Sequence, residues 1–157
     1  MNIVSLVPSW TETLINAELT VVGRTRFCIH PKPQVKSIPA LGGTKSVHWD
    51  KLKIKPDLVI LDKEENTLEM AESCPYPYYA THIKTIYDVP KELLVLADLT
   101  QSKQLFERAY QWTKLLETKK STSFEVLQNI GVLNWWRKTS PVKSNCIYLI
   151  WKDPYMS

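Results

Sequence analysis

The sequence predicts an α/β protein: a parallel sheet flanked by helices, then a long helix and the first strand of a second sheet. Three observations predict it. Short apolar runs such as Ile3-Val4-Ser5-Leu6-Val7 and Leu58-Val59-Ile60-Leu61 have the profile of strands covered on both faces. Strand-like and helix-like segments alternate up to about residue 99, which implies parallel strands joined by right-handed crossovers. A wide apolar face at helical spacing then runs from Ser102 to Thr118.

The elements follow in order. Ile3 to Val7 is the first strand, and Pro8 ends its ladder because it has no N–H to give. Ser9 with Glu12 three residues on forms a capping-box pair that opens a helix over Trp10–Glu18. A strand that delivers a turn into a helix N-terminus leaves N–H groups and partial positive charge at the carboxyl edge of the sheet. Open α/β sheets bind ligands along that edge, so Pro8-Ser9-Trp10-Thr11-Glu12 is the first candidate binding segment. Thr20-Val21-Val22 reads as a short strand ended by Gly23, with a loop from Arg24 to Pro31 after it. Val35 to Pro39 reads as extended and leads into Leu41-Gly42-Gly43-Thr44, and Trp49 to Ile54 reads as a short helix. Lys55-Pro56-Asp57 turns into Leu58–Leu61, the clearest central strand. Asn66 is placed to cap a helix reaching about Ser73, with Glu69 in the capping-box position, and Pro75 and Pro77 break that helix. Tyr78-Tyr79-Ala80-Thr81 is a further strand, followed by a helix from Thr85 or Asp88 to Asp98 with Pro90 in its first turn.

In the next helix Leu105, Ala109, Trp112 and Leu116 share one face, with a second row at Phe106 and Tyr110. So wide a face fits either contact with more than one packing surface or an ordinary core helix. The polar stretch Lys119 to Ser123 marks a boundary, Phe124 to Arg137 is helical with an interruption at Gly131, and Cys146 to Trp151 is a last strand. Apolar surface around Ile147–Trp151, without a similar strand nearby in sequence, makes self-association an expectation.

Composition limits the function classes. A length of 157 residues with 44% hydrophobic content supports a real core, and a net charge of +4 is mild. Lys and Arg are scattered, Lys119-Lys120 reads as a solvated helix end, and the tryptophans are not interleaved with basic residues, so no nucleic-acid partner is expected. Cys28, Cys74 and Cys146 are odd in number and far apart, which predicts reduced thiols. Cys28 and His30, with His48, Cys74 and His82, match no zinc spacing, so neither a metal site nor a cofactor is assigned. The chain as written shows no signal peptide and no apolar stretch of membrane-spanning length, which predicts a soluble chain not exported by its own sequence. With four glycines, no phosphate-binding Gly-rich loop and no G-x-S-x-G elbow, catalysis is not expected; a small cytoplasmic α/β enzyme of unknown chemistry is the alternative.

Four segments taken together carry a resemblance: Ile3-Val4-Ser5-Leu6-Val7-Pro8-Ser9-Trp10-Thr11-Glu12, Val22-Gly23-Arg24-Thr25-Arg26-Phe27-Cys28, Gly42-Gly43-Thr44 and Lys55-Pro56-Asp57-Leu58-Val59-Ile60. In this order the chain resembles the helical-backbone metal receptors, the substrate-binding proteins of ABC importers for cobalamin, ferric siderophores and haem. The resemblance implies two α/β lobes joined by one long helix, with the ligand in the cleft between them; it makes Ser102–Thr118 the joining helix and divides the chain into residues 1–99 as the N-terminal α/β lobe, 100–120 as the connecting backbone helix and 121–157 as the incomplete start of a C-terminal lobe. It also implies a periplasmic or surface-anchored protein with a signal peptide or anchor and roughly another hundred residues of second lobe. Against that pattern this chain is expected to be a truncated receptor. Cleft loops at the carboxyl ends of the strands would supply Ser9, Trp10, Arg26, Phe27, Thr44, Glu65, Asn66, Thr81 and His82. Trp10 and Phe27 are suited to stacking on a macrocyclic or aryl ligand, and Arg26 to pairing with its carboxylate or phosphate. Trp10 fits equally a first-turn residue packed on the sheet, and Arg26 a surface loop position. Any metal would arrive inside a chelate. Glu12 and Asp50 are the candidate docking carboxylates for basic residues of an ABC permease, each also readable as a solvated helix charge.

Overall fold

The computed structural model describes residues 1–120. The helix expected over Phe124–Arg137, the strand at Cys146–Trp151 and the third division of the chain lie outside the described residues.

Five parallel strands form one sheet in the order β3-β2-β1-β4-β5, where β1 is Asn2–Ser5, β2 Thr20–Thr25, β3 Ala40–Gly42, β4 Leu58–Asp62 and β5 Tyr78–Thr81. The helices are α1 (Pro8–Asn16), α2 (Leu68–Glu72), α3 (Asp88–Thr100) and α4 (Lys103–Lys120). Because side chains alternate across a strand, the apolar runs divide between the two faces. Ile3, Leu58 and Ile60 pack with Trp10, Leu14, Leu93, Leu96, Leu105 and Ala109 under α1, α3 and α4. Val4, Val59 and Leu61 pack with Leu41, Met70 and Ala71 on the other face. All five residues of β4 are buried, as expected for an interior strand.

Several boundaries differ from the sequence expectation. The first helix begins at Pro8 rather than Trp10, with Val7 as its N-cap and no side-chain cap, so Ser9 and Glu12 form no capping box. Pro8 explains this: its φ suits the first helical position, where the missing N–H has no intrahelical partner in any case. Strand β2 does not stop at Gly23 but runs through it to Thr25. A Cβ there would lie 2.7 Å from Leu41 Cδ1, so the glycine admits the buried Leu41 side chain over β2. Gln34–Ser37 is a 3₁₀ turn where an extended segment was expected, and the helix expected over Trp49–Ile54 is a 3₁₀ turn of Trp49–Lys51. Helix α2 is capped by Thr67, whose hydroxyl accepts from Met70 N, and not by Asn66.

On α4, Leu105, Ala109 and Leu116 are buried and Trp112 is packed against the core, so the core under the sheet extends onto α4. The second row, Phe106 and Tyr110, is 57% and 58% exposed. Among the described residues, no helix is long and apolar enough to cross a membrane.

Candidate functional site

The chain order of the strands reverses beside β1: β2 and β3 build outward on one side, then β4 and β5 on the other. Crossovers leave a crevice at the carboxyl ends of the strands where such a reversal occurs. Asn66 lies across it. Its side-chain oxygen accepts from Asp62 N at 2.9 Å, and its amide nitrogen donates, at 3.4 Å each, to Leu6 O and Thr44 O. One side chain thus ties together the loops that leave β4, β1 and β3, which is why Asn66 is not free to cap α2.

On the β2–β3 side of the crevice, Arg26 and Phe27 are both exposed, Phe27 by 47%. The Arg26 guanidinium lies 4.9 Å from the centroid of the Phe27 ring. Both approach Gly43, where a Cβ would come within 3.6 Å of each, and Thr44 is next in the chain, half-buried. This produces a cation and an aromatic ring side by side at the sheet edge. Cys28 points the other way. It is fully buried, its Sγ 3.0 Å from Thr11 Oγ1 and 3.2 Å from Thr25 Oγ1, and His30 lies at the surface. Among the described residues, no three His, Cys, Asp or Glu side chains come together as a metal site.

The β4–β5 side is acidic. Trp10 is only 5% exposed, and its indole N–H donates to Thr81 Oγ1 at 2.8 Å. Thr81 Oγ1, also fully buried, donates in turn to Asp62 Oδ2 at 2.7 Å. Trp10 and Thr81 therefore stand behind the edge and hold it, with the Trp10 ring in the core. His82 Nε2 meets Glu64 Oε1 at 3.0 Å, while its backbone N–H donates to Glu92 Oε1 at 3.1 Å and Tyr79 O–H donates to Glu92 Oε2 at 2.7 Å. The Glu64 side chain is 6% exposed, and its Oε2 has no hydrogen-bond partner among the described residues.

The surrounding protein raises Asp62, Glu65 and Glu92. Burial pushes the Asp62 carboxyl up against the hydrogen bonds from Thr81 and from the Glu64 and Glu65 amides. Glu65 is exposed as a whole residue, yet desolvation of its carboxyl first, and the nearby Asp62 charge second, raise it from 4.5 to about 7. Burial likewise raises Glu92, opposed by the bonds from Tyr79 and His82. Sequence reasoning did not single out Asp62, Glu64 or Glu92. A visible signal existed in Asp62-Lys63-Glu64-Glu65, an acidic run directly after the most apolar strand, but Glu92 lies on α3, and the partners of Glu64 and Glu92 are Tyr79 of β5 and His82 just after it.

Of the remaining candidates, Ser9 is exposed at the start of α1, and the Glu12 and Asp50 carboxylates are at the surface. Ser9 and Trp10 also form one wall of a separate groove of about 400 Å³, open between α1, α3 and α4.

No protein-family model matches the chain, nor does any curated protein sequence. Solved structures do match it. The periplasmic vitamin B12 binding protein BtuF of Vibrio cholerae superposes with a TM-score of 0.64 at 22% identity, over 74% of this chain and 48% of BtuF. Staphylococcus aureus IsdE, solved with haem, gives 0.64 at 19% identity over 78% of this chain and 50% of IsdE. The periplasmic haem-binding protein RhuT of Roseiflexus gives 0.59 at 24% identity over 70% and 45%. The chain spans about half the length of these proteins. Its sheet and flanking helices have the fold of their N-terminal lobe.

Proposed function

We infer that this chain, with the fold of the N-terminal lobe of periplasmic cobalamin- and haem-binding proteins, serves as a substrate-binding component of an ABC-type importer for a metal chelate. The observation that carries the inference is the pairing of that fold with the crevice at the strand reversal, where Arg26 and Phe27 lie in contact beside Asn66. Ring and guanidinium together suit a large flat ligand with acidic substituents. In this assignment Ser9, Arg26, Phe27, Thr44, Glu65, Asn66 and His82 meet the ligand, and Trp10 and Thr81 hold the wall behind them. Glu12 and Asp50 are carboxylates for docking to a basic permease surface. The work of the protein is then binding without catalysis, and residues 1–99 and 100–120 act as lobe and connecting helix.

Titration of the full chain with cyanocobalamin, haem and a ferric siderophore tests this. The crevice meets a large ligand on one side, so modest affinity is expected from the described residues. Saturable binding of one of the three should weaken about tenfold when Arg26 and Phe27 are both changed to Ala. Binding of none of them, or binding indifferent to those substitutions, would overturn the assignment.

A further inference from the structure

The groove between α1, α3 and α4 is a different feature from the sheet-edge crevice, and its chemistry is different. Its floor and walls are apolar, built from Trp10, Val89, Leu93 and Trp112. Arg108 projects from α4 into the same groove. Arg108 and Trp112 are four residues apart on one helix, which places them one above the other on the same face. Arg108 is half-buried, and among the described residues it has neither an ion pair nor a hydrogen bond. The other cations of α4 with resolved pairing, Lys103 and Lys114, are met by Glu107 and Glu117 on the same helix. A half-buried guanidinium at an apolar groove, without a partner among the described residues, is a cation open to an anion.

We propose that this groove binds a planar aromatic acid, with its ring system over Val89 and Leu93 against the half-buried Trp112 and its carboxylate or sulfonate on Arg108. A volume of about 400 Å³ takes a fused two-ring system with its acidic group, within the usual range for small-molecule sites. The exposed Ser9 hydroxyl and the Gln111 amide at the groove add neutral donors suited to the remaining acid oxygen. The charge on Arg108 selects an acid over a neutral ring of the same shape. Ser9 and Trp10 border both the crevice and this groove, but Arg108, Gln111 and Trp112 belong to the groove and Arg26 and Phe27 do not, so the two sites are told apart by substitution at Arg108.

Calorimetric titration of the full chain with 1-naphthoate tests the proposal, with 1-naphthalenemethanol as the neutral counterpart. The expected result is saturable one-to-one binding of naphthoate, at least about tenfold weaker for the alcohol and for Arg108→Met, as the loss of a charge-assisted hydrogen bond requires. Arg108→Lys keeps the charge and should retain most of the binding. Circular dichroism of each variant separates loss of the site from loss of the fold, and the Arg26→Ala, Phe27→Ala protein should bind naphthoate normally. No saturable binding, equal binding of the alcohol, or an Arg108→Met protein that is folded and binds unchanged overturns the proposal.

Discussion

At Thr81 a single hydroxyl joins three elements: it accepts from the Trp10 indole on α1, donates to Asp62 on β4 and belongs itself to β5. In a buried site each lost partner leaves another polar group without one, and that costs more than the bond itself contributes. Thr81→Val keeps the shape but strands both the indole N–H and the Asp62 oxygen. It should lower stability by about 2 kcal/mol or more in urea denaturation, whereas Thr81→Ser, which keeps the hydroxyl, should cost about half that or less. A loss in Thr81→Ser with none in Thr81→Val would show that the methyl packing, and not the hydroxyl, matters. The same scale explains Asn66: its amide is used by three loops, so the sequence signal for a helix cap was real but taken by stronger local competition.

For the elements, β2 shows how a sequence signal can be sound and still be assigned the wrong job. Glycine commonly ends strands, yet Gly23 lies inside β2 because Leu41 of β3 needs the space of its missing side chain. Gly23→Ala should therefore destabilise the lobe by about 1–3 kcal/mol, the usual cost of overpacking, measured as a lowered denaturation midpoint with an unchanged slope. No change in midpoint would mean that Leu41 repacks freely. Helix α4 is the converse case. Its first apolar row was legible from spacing and is buried as expected, while the second row, spaced equally well, stands exposed. Periodicity specifies which residues share a face of a helix but not whether anything packs against that face.

For the molecule as a whole, the acids at the β4–β5 edge set a pH dependence. Asp62, Glu65 and Glu92 all titrate above their ordinary values in the folded state, Glu65 at about 7. Between the unfolded carboxylate range near 4 and these raised values, the folded chain holds more protons than the unfolded one, so stability falls as pH rises. The thermal midpoint should be higher at pH 5 than at pH 8, and Glu65→Gln should flatten the upper part of that slope. Because Glu65 is partly in solvent, its share of the effect should be the smaller one. A midpoint that rises from pH 5 to pH 8 would show that other groups govern the profile.

The sequence by itself determined the α/β class, the parallel strands, β4 and β5 in position, and the carboxyl edge as the place to look, because these depend on local apolar patterning and on chain connectivity. It also named Arg26, Phe27 and Asn66, whose positions follow from the strands that precede them. Only the tertiary structure decided that Trp10 and Thr81 face inward while Arg26 and Phe27 face out, that Cys28 is tied into the core, and that Glu64 and Glu92 join His82 across 18 and 10 residues of chain. The Arg108 groove belongs to the same group. Burial and pairing depend on which distant segments meet, and in a single strand–turn–helix nothing local encodes the approach of α3 and α4.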